Sequence, residues 1–218
     1  MTMTGELFDS AAATVVVLGP GRDAVVLRGF ALDVAPEVLA DLHAVADRAP
    51  FRNMVTPGGR AMSVAMTNCG SAGWVTDRSG YRYTSHDPSS GERWPPLPAG
   101  FRGLAVRAAA AAGFAGFAPD ACLINRYAPG TRLTLHQDRN EKDYRAPIVS
   151  VSLGLPAKFL WGGAARGDKV TRIVLGHGDV VVWGRAARLV HHGIDTLKDG
   201  EHPATGRCRF NLTFRKAL

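Results

Sequence analysis

The spacing of apolar residues changes once along the chain, near Pro119. Upstream of that point, two segments repeat apolar residues every three or four positions, which is typical of helices that bury one face. Pro36 suits a first helical turn, and Gly113 suits the end of a helix. The pattern therefore predicts helices within 35–50 and 101–114, whose inward faces are Val38, Leu39, Leu42, Val45 and Ala46 and then Phe101, Leu104 and Ala108.

Downstream of Pro119, short β-branched or aromatic segments alternate with Gly, Pro and Asp turns. No helical segment separates them, which favours an antiparallel sandwich or jelly roll over α/β winding. We expect a mainly β fold with flanking helices (α+β), in which the helices pack against one sheet. The predicted strands lie within 120–128, 131–138, 146–156, 157–163, 170–176, 179–184, 188–194 and 208–215.

Residues 51–98 have a different composition, in which Gly, Pro, Ser and Arg are mixed with aromatic residues. Apart from some strand character at 62–67, this region is predicted to be mostly loop. A long loop-rich insert in a compact domain is more often functional than idle. We expect one domain over residues 1–218, with the helices and a lid (about 51–98) in 1–118 and the β core in 119–218.

The chain carries a formal net charge of +7 and has a pI near 9.8. Such a balance is expected of a protein that binds phosphates, as nucleic-acid-binding proteins do. A merely basic protein would have the same charge, and the charge alone favours neither interpretation.

Cys69, Cys122 and Cys208 are far apart and form no Cys-x-x-Cys motif, so neither a disulfide framework nor a cysteine zinc site is indicated. Residues 1–10 lack Lys and Arg, which argues against a signal peptide. No apolar run approaches the ~20 residues that cross a bilayer. We therefore expect a cytoplasmic protein without membrane association.

The run "LTLHQDRNE" places His136 and Asp138 one residue apart in a segment that resembles a half-buried strand. Side chains alternate faces along a strand, so these two point the same way and suggest a metal site, an acid/base pair or a hydrogen bond. Two histidines and one carboxylate with open positions are the ligands of non-heme Fe(II) oxygenases. The pair His191 and His192 supplies a candidate third ligand, but only one of them can share the site. On its own, the pattern is better explained by a surface pair.

The run "CRFNLTFR" has an apolar face and a polar face, the latter formed by Arg209, Asn211, Thr213 and Arg215. An edge strand with its polar face in water would explain this pattern. If the polar face instead points into the barrel, its guanidinium groups need anions, and a dicarboxylate suits the bidentate geometry of arginine. A second polar strand face would add Asn125 and Tyr127.

The runs "DACLINRYAPGTRLTLHQD", "APIVSVSLGLPAKF", "GDVVVWG", "HHGI" and "RFNLTFR" together resemble the AlkB family of Fe(II)/2-oxoglutarate-dependent nucleic-acid demethylases, and its bacterial members most closely. Through "FRNMVTPGGRAMSVAMTNCG" and "GW", the similarity covers nearly the whole chain after about Phe30. Each motif is weak alone, but their order and spacing are specific. The resemblance implies a double-stranded β-helix (jelly roll) with a nucleotide-recognition lid.

The resemblance also implies the site. Fe(II) would be held by His136, Asp138 and His192, while His191 would point away and serve as a packing or surface residue. The co-substrate 2-oxoglutarate would chelate the iron and place its distal carboxylate on Arg209, assisted by Tyr127 and Ser150. Its metal-binding end would contact Asn125, Asn211 and Arg215.

The implied reaction is oxidative demethylation with O₂, which yields succinate, CO₂, formaldehyde and the repaired base. The substrate would be single-stranded DNA or a base flipped from a duplex, with RNA as a further candidate, and no protein partner is expected for this monomer. Trp74 would stack on the base opposite His136, and Tyr81 would contact a phosphate or the base rim. Thr56, Met62 and Met66 would line the lid, and Arg132, Arg139 and Arg166 would meet the backbone.

One position departs from the bacterial pattern. Two residues after the metal carboxylate, where an acidic residue is expected, this chain has Asn140. A carboxylate favours the cationic forms of N-methylated adenine and cytosine, whereas Asn140 keeps only hydrogen bonding. We therefore expect a shifted preference among methylated bases.

Two other interpretations use the same motifs. A hydroxylase of a small molecule or a protein side chain needs the same iron chemistry, although the basic charge and the aromatic lid count against it. A catalytically silent jelly roll that binds nucleic acid has no need of a complete ligand set beside buried arginines.

Overall fold

A seven-stranded and a four-stranded antiparallel sheet form the body of the protein. The computed structural model describes residues 14–19 and 21–218, so the expectation about a signal in residues 1–10 lies outside the described residues. The elements are β1 (Val15–Val17), β2 (Ala24–Leu27), α1 (Ala35–Arg48), β3 (Ala65–Gly70), β4 (Gly73–Asp77), β5 (Gly80–Thr84), α2 (Ala99–Ala111), β6 (Ala121–Tyr127), β7 (Leu133–His136), β8 (Ile148–Gly154), β9 (Ala157–Trp161), β10 (Thr171–Leu175), β11 (Val180–Trp183), β12 (His192–Ile194) and β13 (Arg209–Arg215).

The eight strands predicted downstream of Pro119 are all present as β6–β13. The larger sheet has the order β1-β2-β11-β8-β13-β6-β3, and the smaller sheet has the order β10-β9-β12-β7. The two sheets pack face to face, as the 6.3 Å separation of the Phe159 and Trp183 rings shows. This arrangement is the predicted jelly roll.

Both predicted helices are present and cover the outer face of the larger sheet. Leu42 of α1 and Phe101 of α2 are fully buried in one cluster with Phe214 of β13, and the Phe101 and Phe214 rings meet edge to face at 5.9 Å. Because the helices occupy this face, the other face of the larger sheet is free to form the interior of the jelly roll. None of the helices in the described part of the chain is long and apolar enough to cross a membrane.

The region 51–98 contains more strand than the sequence predicted. β3 is a buried strand at the edge of the larger sheet, where it pairs with β6, and β4 and β5 form a separate hairpin. The Gly and Ser content suggested a loop. The strand β4 is nevertheless held beside β3, because the side chain of Asn68 bonds both the N–H and the C=O of Trp74. The strands β1 and β2 were likewise not predicted.

Candidate functional site

His136, Asp138 and His192 come together in the interior of the jelly roll. His136 ends β7 and His192 begins β12, and the two residues are direct partners across these strands, so their ring centroids lie 4.5 Å apart. Asp138 follows β7 by two residues, and each of its carboxylate oxygens lies 3.7 Å from the Nε2 of one histidine. One ligand atom from each residue can be chosen so that all three lie within 4.8 Å of one another.

The hydrogen bonds of the two histidines favour metal binding through Nε2. The Nδ1 of His136 lies 2.9 Å from the carbonyl of Thr134, and the Nδ1 of His192 lies 3.0 Å from that of Val190. A carbonyl can only accept, so each Nδ1 carries the proton and each Nε2 keeps its lone pair. The two lone pairs are therefore available on the side where Asp138 lies.

The charge states also suit a divalent cation. Burial and the nearby His136 lower the pKa of His192 to about 4, so its ring is neutral at pH 7. Burial alone would raise the pKa of Asp138, but the positive charge of the adjacent Arg215 outweighs burial and holds that pKa well below its usual value. A neutral imidazole and an ionised carboxylate are the forms that bind metals.

His191 is outside this set of ligand atoms, as expected, but it does not simply point away. Its Nδ1 lies 3.2 Å from the carbonyl of Gly163, and the residue is half-buried along the wall of the same cavity. His191 directly precedes β12, and adjacent residues of an extended chain point to opposite sides, so of the two histidines only His192 faces Asp138.

The triad opens into a cavity of about 410 Å³ between the two sheets and the lid hairpin. It brings together the metal ligands, the lid residues and the predicted co-substrate residues other than Arg209, which is not part of the lining. Its lining includes Thr56, Met62, Met66, Trp74, Tyr81, Asn125, Tyr127, Arg139, Asn140, Ser150, Arg166, Asn211 and Arg215.

Arg209 is a fully buried guanidinium with spare hydrogen-bond donors. It lies over the ring of Tyr127 at 5.0 Å, and its Nη2 donates to Ser152 at 2.9 Å. Its Nε and Nη1 have no partner, and burial lowers its pKa. A buried, unpaired guanidinium is costly, so this arrangement favours an anionic ligand.

The remaining polar residues of this wall have partners that the sequence did not specify. Ser150, expected to assist Arg209, accepts a hydrogen bond from Asn211 at 2.8 Å, and the serine that Arg209 contacts is Ser152. Both serines lie on the same face of β8, so strand alternation cannot distinguish them. Arg215 donates to Asp138 at 2.7 Å, and Asn125 has a buried Oδ1 without a partner.

The lid residues meet at the β4–β5 hairpin. The rings of Trp74 and Tyr81 stack at 5.7 Å with an interplanar angle of 22°, and the indole N–H of Trp74 donates to the Oδ1 of Asn140 at 3.0 Å. Of the three predicted backbone contacts, Arg139 and Arg166 line the cavity, whereas Arg132 is exposed and is not part of the lining.

The sequence analysis missed several residues of the cavity wall and its support. Trp183 of β11 lines the cavity with a buried indole N–H that has no partner, and Phe159 of β9 faces it from the smaller sheet. The buried Glu141 and Arg188 lie beside Asp138, and the half-buried Tyr83 bonds to Glu141. Glu141 directly follows Asn140, and a carboxylate so close to a metal ligand was the one available signal.

Comparisons with known proteins agree with this geometry. The family described as 2OG-Fe(II) oxygenase superfamily matches residues 23–215. The alpha-ketoglutarate-dependent dioxygenase AlkB of Salmonella typhimurium is 58% identical over 212 residues, which cover 97% of each chain. The protein of the same name from Escherichia coli is 59% identical over 194 residues, which cover 89% of this chain and 90% of the relative.

A solved structure titled "The structure of OsALKBH1" has the same fold. It matches with a TM-score of 0.80 and 27% sequence identity, over 93% of this chain and 100% of that one. The predicted fold and the resemblance to the AlkB family are thereby confirmed. The chain belongs to the 2OG-Fe(II) oxygenase superfamily and, within it, to the AlkB family.

Proposed function

We propose that this protein is an oxidative demethylase that removes N-alkyl groups from bases such as 1-methyladenine and 3-methylcytosine in DNA, and in RNA as well. It uses Fe(II), 2-oxoglutarate and O₂, and it acts as a monomer in the cytoplasm. The observation that carries this proposal is the position of the triad. Its ligand atoms lie in one cavity whose walls also include Trp74 and Tyr81 of the lid.

The residues fit a ferrous ion. His136, Asp138 and His192 supply two nitrogen ligands and one oxygen ligand, which is the set found in non-heme Fe(II) oxygenases. Arg215 bonds to Oδ2 of Asp138 at 2.7 Å, which keeps that carboxylate oriented toward the histidines. Three protein ligands leave coordination positions for a co-substrate and O₂.

The residues also fit a dicarboxylate. The Nε and Nη1 of Arg209 on β13 are buried N–H donors without partners, which is what a carboxylate needs. Arg209 would bind the distal carboxylate of 2-oxoglutarate, and Tyr127 would support the guanidinium through its ring. Asn211 and Arg215 would contact the end nearer the iron, while Ser150 holds Asn211 in place.

The lid supplies the base site. Trp74 offers an indole face fixed by Asn140, and base stacking on an aromatic ring is worth roughly 1–3 kcal/mol. Met62, Met66 and Thr56 would enclose the base, and Tyr81 and Arg166 would contact the adjoining backbone. The walls exclude water and hold the N-methyl group toward the triad. When bound, iron, 2-oxoglutarate and O₂ supply the oxidation that converts the N-methyl group to a hydroxymethyl group, which leaves as formaldehyde, with succinate and CO₂ as co-products.

The test is an assay with single-stranded oligonucleotides that carry one 1-methyladenine or 3-methylcytosine, in the presence of Fe(II) and 2-oxoglutarate. We expect formaldehyde and repaired oligonucleotide in equal amounts. His192→Ala should abolish both products, because it removes a metal ligand. The matched control His191→Ala changes the adjacent residue, which is outside the ligand set, and it should retain turnover.

The same assay separates the other two functions. Succinate released at the same rate with and without the methyl group would indicate a different substrate for the same iron chemistry. Oligonucleotide binding without succinate release would indicate a silent binding module, and either result would contradict the proposed demethylase.

A further inference from the structure

Glu141 is a buried carboxylate that the proposed reaction does not use. Its side chain is 2% exposed, and both of its oxygens are occupied. Oε1 accepts from the hydroxyl of Tyr83 at 2.7 Å and lies 3.4 Å from Nε of Arg215, and Oε2 accepts from Nη2 of Arg188 at 3.0 Å. So many directed contacts on one buried side chain fix its position closely.

Glu141 belongs to a balanced group of four buried charges. Asp138 and Glu141 are negative, Arg188 and Arg215 are positive, and the side chain of each is at most 9% exposed. Removing one member of such a group leaves a buried charge without compensation. The members therefore hold one another in a single arrangement.

One end of this group is the metal carboxylate. Arg215 donates from Nη2 and Nε to Oδ2 of Asp138, at 2.7 and 3.0 Å. Arg188 donates to the backbone carbonyl of Asp138 at 2.8 Å. Glu141 contacts both arginines, so it fixes the side chain and the main chain of Asp138 at the same time.

The other end is the lid hairpin. Tyr83 of β5 lies directly opposite Trp74 of β4 in the hairpin register. Directly opposite residues of an antiparallel pair have their side chains on the same face, and here both side chains reach the segment after β7. Trp74 bonds to Asn140 and Tyr83 bonds to Glu141, so two consecutive residues anchor both strands of the hairpin.

We propose that Glu141 is a positioning residue that links the base-stacking hairpin to the metal carboxylate, through the sequence of contacts Tyr83–Glu141–Arg215–Asp138. This inference rests on the proposed demethylase function. The link sets the distance between the aromatic face of Trp74 and the triad. When its outer contact, Tyr83–Glu141, is broken, the hairpin loses its fixed position above the triad, while Arg209 and Arg215 keep their places in the 2-oxoglutarate site.

The first test is Tyr83→Phe, which removes one hydroxyl and keeps the ring. We expect the KM for a methylated oligonucleotide to rise about 3- to 10-fold, in line with the loss of a hydrogen bond to a charged group. The KM for 2-oxoglutarate should stay within about two-fold of the wild-type value, which is less than the rise expected for the oligonucleotide. The matched control is Thr84→Val on the same strand, because the Thr84 hydroxyl bonds only to the nearby carbonyl of His86, and it should leave both values unchanged.

The second test is Glu141→Gln, alone and combined with Tyr83→Phe. Protein loaded with Co(II) in place of iron should show an altered visible absorption spectrum in Glu141→Gln, because Asp138 moves, and this readout does not depend on turnover. The KM of the double variant for the oligonucleotide should equal that of Glu141→Gln alone, because both changes interrupt the same sequence of contacts.

If the double variant raises the oligonucleotide KM by the product of the two single-variant increases, the two residues act independently and the link is overturned. A Co(II) spectrum of Glu141→Gln identical to that of the wild type would also overturn it. If Glu141→Gln does not fold, Tyr83→Phe decides alone, and an unchanged oligonucleotide KM then overturns the link. A wild type that releases no formaldehyde from the oligonucleotide refutes the proposed function instead, and the Co(II) spectrum still tests the position of Asp138.

Discussion

At the scale of single residues, Asn140 is a neutral side chain at a position where an acidic one was expected, and it still holds the ring of Trp74 in place. Its Oδ1 accepts the indole N–H of Trp74 at 3.0 Å, which fixes the stacking ring and leaves the two amide hydrogens of Asn140 as free donors toward the cavity. A carboxylate at this position could also accept from Trp74, and it would add a negative charge beside the base. We therefore expect residue 140 to influence the charge preference for the base more than the placement of the ring.

The corresponding prediction concerns Asn140→Asp. The variant should raise kcat/KM for the cationic lesions 1-methyladenine and 3-methylcytosine about five-fold relative to uncharged 3-methylthymine, because an ion pair at a partly exposed site contributes up to about 1 kcal/mol. Competition assays with pairs of single-lesion oligonucleotides measure this ratio directly. Equal ratios in wild type and variant would show that charge at residue 140 does not select the base.

At the scale of elements, the strands that carry the candidate site were predictable and the hairpin that covers it was not. Period-two alternation placed Arg209 and Asn211 on one face of β13, and both are buried in the interior. The strand β7 ends at His136, however, so alternation does not extend to Asp138, and Arg215 fixes its carboxylate instead. The β4–β5 hairpin depends on long-range contacts such as Tyr83 to Glu141, which no local pattern reveals.

Gly73 is the residue of this hairpin with least space for a side chain. A Cβ there would lie 2.5 Å from Nε1 of the buried Trp94 and 2.7 Å from Cβ of Asn68, so Gly73→Ala must displace the start of β4. We expect a stability loss of about 1–3 kcal/mol and a raised KM for the oligonucleotide. Gly58→Ala, also in region 51–98 but with nothing within 4 Å of its Cβ, is the control. Thermal unfolding measures the stability loss, and steady-state kinetics measure the KM. If Gly73→Ala and Gly58→Ala have the same stability and the same KM, the start of β4 is not tightly packed.

At the scale of the whole molecule, one face of the larger sheet packs against the helices and the other lines the candidate site. The outer face packs against α1 and α2 and supplies most of the apolar core, whereas the inner face carries the buried polar side chains Arg209, Asn211 and Arg215 of β13. The helices thus stabilise a sheet whose inner face is unusually polar. The net charge of +7 alone did not indicate where a nucleic acid would bind. In the structure, two of the positive side chains, Arg139 and Arg166, line the cavity that the lid covers.

This arrangement predicts how affinity depends on salt. For a single strand, the logarithm of the association constant falls with the logarithm of salt concentration by about 0.7 per phosphate contact, so the two contacts at Arg139 and Arg166 give a slope of about −1.4. Arg166→Gln should reduce the steepness by about 0.7, because it removes one contact. Arg107→Gln removes the same charge from the exposed side of α2, on the helix-covered face of the larger sheet, and should leave the slope unchanged. Fluorescence anisotropy with a methylated oligonucleotide at several salt concentrations measures all three slopes. Equal slopes for the two variants would mean that net charge, and not a backbone path beside the cavity, draws the strand to the protein.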